Sequence, residues 1–354
     1  MKLLQNKLYL EDLNYVLSLK YNWDELNNKT VLISGSTGLI GSFLIDVLMN
    51  KPGLNCNILA LGRDKVKAQS RFDDYWDSNN FKFIPCDIIK EENFINIPNC
   101  NVDYIIHAAS NTHPVAYSTD PIGTITTNII GTNNLLKFAV EHKTKRFLFL
   151  SSNEIYGENR GDVEKFDESY CGYINSNTLR AGYPESKRCG EALCQAYLKQ
   201  KSLDTVVVRL TRSYGPTMLS NDSKALSQFI GNCIEHKDIV LKSEGNQYFS
   251  YIYVVDAISG ILKILLDGKS GEAYNISDEL SDIKLKELAS LLAEIAGTKV
   301  IYDLPDETER TGFSVVSKAR LDNSKLKSIG WTAKYDIKNG LNRTIEILKA
   351  QKFF

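Results

Sequence analysis

Tyr183-Pro184-Glu185-Ser186-Lys187 places a phenol and an ammonium four residues apart. On a helix that spacing puts both on one face, one turn from each other. A free tyrosine releases its proton only near ~10. A neighbouring cation favours the phenolate, so such a tyrosine can exchange a proton with an alcohol nearer neutral pH. Earlier in the chain an apolar run ends in Leu150-Ser151-Ser152-Asn153-Glu154. Ser152 is expected to hydrogen-bond the reacting oxygen. Glu154, with Asn153 beside it, is either a base toward a carbon acid or a side chain that hydrogen-bonds loop backbone; both readings stay open. The Tyr-x-x-x-Lys spacing alone occurs by chance in many helices, so its weight depends on the elements around it.

The strongest of those is Gly35-Ser36-Thr37-Gly38-Leu39-Ile40-Gly41, which follows the apolar run TVLIS and opens the helical pattern LIGSFLIDVLMN. Gly35 permits a tight turn, Gly38 lets backbone approach a diphosphate, and Gly41 lets the helix pack closely on the strand. Thr37, Leu39 and Ile40 complete a helix start whose free N–H groups and positive dipole end suit phosphate. A dinucleotide is the expected ligand. The second strand ends Ala60-Leu61-Gly62-Arg63-Asp64, with glycine where NAD binding favours a carboxylate and Arg63 directly after. That favours NADP over NAD, the alternative being a solvated Arg63 with Asp64 on the ribose. Asp87 and Ile88 are expected at the adenine, and Ala108, Ala109 and Ser151 along the cofactor. His107 reads as a packed strand end.

These residues stand at the ends of apolar runs separated by helical patterns. TVLIS, CNILALG, FKFIPCD, VDYIIHAAS, RFLFLSS and DTVVVRL read as six strands, and strand–helix–strand order with strands buried on both faces implies an α/β fold with a Rossmann-type doubly wound parallel sheet. The expected organisation is a helical extension over 1–28, a dinucleotide-binding domain over 29–212, and a smaller α/β substrate-binding domain over 213–354, with about 250–268 returning to the first domain. The extension is either a helix packed on the core or a regulatory arm.

Composition narrows the function classes. The chain has 354 residues, 43% apolar and 24% charged, with a formal net charge of -1. Nothing in that balance favours nucleic acid or an anionic membrane as partner, and no run approaches the ~18 consecutive apolar residues of a membrane span. Seven scattered cysteines without a C-x-x-C pair read as free thiols in a reducing compartment, hence cytoplasmic, with no metal site.

GSTGLIG, HAAS, SSNEIYG, YPESK, RSYGP and the late IGW together resemble the extended short-chain dehydrogenase/reductase family, in its nucleotide-sugar epimerase/dehydratase branch, from Thr30 to about Trp331. The resemblance implies oxidation of a sugar carbon by NAD(P)+, chemistry at the activated ketone, and often return of the hydride. It also implies Ser152, Tyr183 and Lys187 as the catalytic set and a homodimer formed through helices around Asn133–Glu141 and Tyr183. The stretch from Glu168 through Arg180 resembles the insert of UDP-glucuronate decarboxylases.

Three departures bear on the reaction. Asn153 stands where the dehydratases carry an acid. Phe249 stands where the family has an arginine before its Y-V-x-D motif. Arg212 replaces the family's asparagine in R-x-x-N-x-x-G-P, and a guanidinium there could bind phosphate in place of the missing one. Arg180 and Arg310 are further substrate candidates. The expected activity is redox chemistry on a nucleotide sugar with a recycled cofactor. A net NADPH-dependent reductase is the runner-up, and a non-catalytic scaffold the third class.

Overall fold

The computed structural model describes residues 2–112, 114–219, 222–303 and 317–351. The six expected strands all form: β1 (Thr30–Ser34), β2 (Asn57–Gly62), β3 (Phe81–Pro85), β4 (Tyr104–His107), β5 (Arg146–Ser152) and β6 (Thr205–Leu210). Beyond them come β7 (Arg212–Tyr214), β8 (Ile239–Leu241), β9 (Tyr248–Tyr253), β10 (Ala273–Ile276), β11 (Asp282–Lys284), β12 (Val300–Tyr302) and β13 (Lys318–Ala319). The main sheet has seven parallel strands in the order β10-β6-β5-β4-β1-β2-β3. Its strand order reverses between β1 and β4, which opens a crevice at the carboxyl ends of the strands. The reason is in the sequence: Val31, Leu32, Ile33, Ile105, Ile106, Phe147 and Leu148 are fully buried, so central strands need apolar side chains on both faces.

The helices that matter for the site are α1 (Lys7–Ser18), α2 (Leu39–Asn50), α3 (Lys65–Arg71), α4 (Pro114–Thr119), α5 (Pro121–Thr126), α6 (Thr132–Glu141) and α7 (Gly182–Lys201). They are followed by α8 (Ala225–Ile234), α9 (Val254–Asp267), α10 (Leu285–Ala296) and the C-terminal α11 (Ile337–Gln351). Between α5 and α6, Thr127–Gly131 winds as a π-helix. Such one-turn bulges re-aim side chains and recur at functional sites.

The chain crosses between its two halves more than once. β10 joins the main sheet beside β6, and α9 packs against α2. The second half is built on β9, which pairs with β7, β11 and β13, while β8 and β12 form a separate pair. The extension ahead of β1 is a core element. α1 buries Tyr9, Leu13, Val16 and Leu17 and packs against α2, α9 and α11. Its buried Asp12 accepts from Tyr253 Oη and from Arg343 Nε of α11, the latter at 2.7 Å. Tyr9 Oη donates to Asp46 of α2, which also pairs with Arg71 of α3. Among the described residues no helix is long and apolar enough to cross a membrane, and all seven cysteines are free thiols.

Candidate active site

The glycine turn lies at the crevice, and its glycines are required by space. A Cβ at Gly35, whose φ is +71°, would stand 2.7 Å from the backbone of Ala108 and Ala109; one at Gly41 would stand 2.5 Å from the Gly35 carbonyl oxygen. The turn is thus pressed against the end of β4, where the two alanines had been expected to admit a ligand. Gly38 is the N-cap of α2 and supplies no capping side chain, so the amides of Leu39, Ile40 and Gly41 face the crevice end uncapped, with Thr37 half-exposed beside them. The Ser151 hydroxyl is buried with no hydrogen-bond partner among the described residues. An uncapped helix start, a cradle that a Cβ would fill and an orphaned hydroxyl at the end of β5 fit a dinucleotide.

At the adenosine end, Arg63 is exposed and forms no hydrogen bond or ion pair among the described residues. Asp64 does not point at a ribose: its Oδ1 accepts from Lys67 N at 2.9 Å and caps α3. Asp87 is half-buried, its carboxylate accepting a long 3.3 Å bond from Ile89 N. Ile88 is buried against Gly131, and Asn134 holds the Ile88 carbonyl at 3.0 Å. His107 lies between Ser34 Oγ (2.7 Å) and Thr132 Oγ1 (2.9 Å). Burial, and then the charge of Lys187, keeps its pKa well below the usual imidazole value, so it is a neutral packed residue.

Ser152, Tyr183 and Lys187 come together as the spacing requires, all three buried. Ser152 caps the short 3-10 turn Asn153–Tyr156, its Oγ accepting from Glu154 N at 3.2 Å, and the same hydroxyl lowers the pKa of the Tyr183 phenol. Lys187 does share a face with Tyr183, but its ammonium turns to the Leu150 carbonyl at 2.8 Å and lies 4.9 Å from the centroid of the Phe149 ring. Burial lowers its pKa to about 7, against the pull of Glu191 one turn on. The expected lysine-stabilised phenolate is therefore not what surrounds Tyr183 here. Burial pushes that phenol well above its usual pKa and Glu154 pushes it further, while the Ser152 hydrogen bond and Arg180 oppose them.

Glu154 is equally constrained. Arg180 Nη2 donates to both of its carboxylate oxygens, at 2.8 and 2.7 Å, so neither oxygen is held ready as a base. Arg180 keeps Nη1 buried and, among the described residues, unpartnered. Arg212 lies flat on Phe249, its Cζ 3.5 Å from the ring centroid, and it too has a buried Nη1 without a partner. Burial lowers the pKa of Arg212 and the neighbouring Tyr251 and Glu154 raise it. Two of the three residues that depart from the family pattern thus form one unit: Phe249 is the platform on which Arg212 rests. Asn153 is buried next to Glu154. Arg310 lies outside the described residues.

Three residues at the site carried no signal in the sequence. Tyr117 of α4 packs its ring 4.9 Å from that of Tyr183, with Arg180 Cζ 4.7 Å from the Tyr117 centroid. Asn128, fully buried in the π-helix, accepts from Ser110 Oγ and donates to Ser186 Oγ, which in turn donates to the Tyr183 carbonyl. Arg188 donates to the carbonyls of Ile155 and Gly172 and ties the segment after β5 to α7. Only Asn128, a lone amide in an apolar helical pattern, could have been suspected beforehand.

A model of the NAD dependent epimerase/dehydratase family matches residues 31–277. The chain belongs to that family. This family member is 30% identical over 325 residues to UDP-glucuronic acid decarboxylase 1 of Danio rerio, covering 91% of this chain and 73% of that protein. To UDP-glucuronic acid decarboxylase 6 of Arabidopsis thaliana it is also 30% identical over 325 residues, covering 89% and 87%. Among solved structures, the fold of this epimerase/dehydratase-family enzyme is similar to dTDP-glucose 4,6-dehydratase from Streptomyces venezuelae with NAD and TYD bound (TM-score 0.80, 22% identity, 91% of this chain and 98% of that one). It is also similar to UDP-glucuronic acid 4-epimerase from Bacillus cereus in complex with UDP-glucuronic acid and NAD (TM-score 0.75, 22% identity, 91% and 99%).

Proposed function

We propose that this epimerase/dehydratase-family enzyme oxidises a hydroxyl-bearing carbon of a nucleotide-activated sugar, acts on the transient ketone, and restores its cofactor in the same cycle. The observation that carries this reading is the convergence of Ser152, Tyr183 and Lys187 at the end of β5, beside the glycine turn. Bound nicotinamide supplies a hydride acceptor and donor. Tyr183, as phenolate, takes the sugar hydroxyl proton as the carbon beneath it is oxidised and gives it back on reduction. Ser152 Oγ orients the reacting oxygen, and Lys187 holds the cofactor ribose once released from Leu150. The unpartnered Nη1 atoms of Arg180 and Arg212 suit an anionic group of the substrate, a nucleotide phosphate or a carboxylate on the sugar. Asn153 cannot donate a proton as an acid, which disfavours dehydration. The relatives' names make UDP-glucuronic acid the first substrate to try. The expected result is a changed sugar nucleotide with no net absorbance change at 340 nm. Turnover of no nucleotide sugar at all would point to the scaffold class instead.

Arg63 favours the second reading, a reductase that consumes NADPH, because the arginine is free and Asp64 is occupied as a helix cap. Arg63→Ala is expected to weaken NADP binding by about tenfold and leave NAD nearly unchanged, since it removes one charge-assisted phosphate contact. Equal effects on the two cofactors in a fluorescence titration would remove the case for a 2′-phosphate. We also propose a homodimer through α6 and α7, with the exposed Ile130 of the π-helix just ahead of α6 as an apolar contact; sedimentation at the mass of a single chain at micromolar concentration would refute it.

A further inference from the structure

Five contacts close a ring around Tyr183. Ser152 acts on its hydroxyl and lowers its pKa, and the Ser152 Oγ accepts from Glu154 N. The Glu154 carboxylate is held through both oxygens by Arg180, Arg180 lies over Tyr117, and the Tyr117 ring returns to that of Tyr183. Its five members come from four pieces of chain: Ser152 and Glu154 from the end of β5, Arg180 from the turn before α7, Tyr117 from α4, and Tyr183 from α7 itself.

We propose that Arg180 is a positioning residue for Tyr183, which it serves by neutralising the Glu154 carboxylate and by pressing Tyr117 against the phenol. The inference rests on Tyr183 as the group that exchanges the substrate proton, and it removes Glu154 from the role of base. A carboxylate beside a buried phenol opposes ionisation of that phenol. Burial and Glu154 do raise the Tyr183 pKa, and Arg180 lowers it. The guanidinium is itself stabilised in return: burial works against its charge, but Glu154, Tyr117 and Tyr183 favour it. The titratable groups facing this cluster are Lys187 from the same helix, Tyr117 from α4, Glu154 and Arg180 from the turns after β5 and before α7, Arg212 from β7, and Asp222, which acts on Tyr117. Of these cations Arg180 is the one that both acts on the phenol and holds the Glu154 carboxylate.

The test uses the full chain loaded with NAD and reads the phenolate by ultraviolet difference titration, parent against Tyr183→Phe, so that it needs no sugar substrate. Arg180→Gln is expected to move the Tyr183 titration up by about one pH unit, and Glu154→Gln to move it down by a similar amount. The double variant Arg180→Gln/Glu154→Gln returns it to the parent's position, because both charges have gone. Arg180→Lys, which keeps the charge, stays close to the parent and provides a second variant should glutamine prevent folding. With UDP-glucuronic acid as probe, the acidic limb of the kcat profile is expected to follow the same order. A titration that ignores Arg180, or a double variant no nearer the parent than the single one, overturns the proposal and leaves the assignment of Tyr183 standing. Turnover of Tyr183→Phe at the parent's rate overturns both.

Discussion

Tyr183→Phe is expected to abolish hydride transfer while leaving cofactor affinity within a few-fold. The substitution removes one oxygen and keeps the ring, so the packing against Tyr117 at 4.9 Å survives and the buried pocket is not opened. What is lost is the proposed acceptor for the sugar's proton, on which Ser152 and Arg180 act. A positioned acid–base group contributes roughly 10²- to 10⁴-fold. A fall of about a thousandfold in kcat, or about 4 kcal/mol of barrier, is the expected outcome in a stopped-flow measurement of single-turnover reduction of the bound cofactor. KM should change little, because Ser152 and the arginines still hold the substrate. Turnover within tenfold of the parent would mean that another group accepts the proton. Glu154 is the nearest alternative, but both of its oxygens are already held by Arg180.

Gly35→Ala is expected to have the largest effect on the dinucleotide. Two separate costs meet at this position. A φ of +71° penalises any Cβ by about 1–2 kcal/mol, and this Cβ would stand 2.7 Å from backbone atoms of Ala108 and Ala109, whose amides are tied to Ser34 just past the end of β4. Relief requires the turn to lift off β4, and that carries the N-terminus of α2 away from where the diphosphate would sit. A loss of cofactor affinity on the order of a hundredfold, about 2.7 kcal/mol, is expected by calorimetric titration, together with a lowered melting temperature. Gly53→Ala separates the two costs. Gly53 has a φ of +75° but no atom within 4 Å of its Cβ position, so its replacement should lower stability slightly and leave cofactor binding intact. If the two alanines behave alike, the close approach to Ala108 does not control the site.

Those outcomes concern residues whose importance could be inferred from spacing alone, and the reason is local. Gly35, Gly38 and Gly41 act within one turn, and Tyr183 and Lys187 within one helix, so short-range geometry reveals them. The six sheet strands were legible because each is an apolar run long enough to be buried on both faces. β10 was not, since Ala-Tyr-Asn-Ile is no more apolar than a loop and becomes a strand only by pairing with β6. Charge partners were the least legible. Arg180 and Glu154 are 26 residues apart, and nothing in either segment says that the turn Leu179–Ala181 will aim one at the other. The same holds for Lys187, whose bond to Leu150 is set by how α7 packs on β5 and not by the helical spacing. Arg212 shows the intermediate case: its departure from the family pattern was visible, as was that of Phe249, but their stacking required the register that puts Arg212 opposite Tyr251.

The clasp between α1 and α11 has a consequence for how the chain is made. Asp12 is fully buried, and Arg343, whose guanidinium donates to Asp12 and to the Leu8 carbonyl, lies 331 positions further on. A nascent chain therefore emerges from the ribosome with α1 missing the cation that completes its burial, and keeps it so until residue 343 has been synthesised. Docking of α1 should be among the last events of biogenesis. Chains halted before residue 343 are expected to show protease-sensitive bonds around Leu8 to Asp12, which become resistant when α11 is supplied.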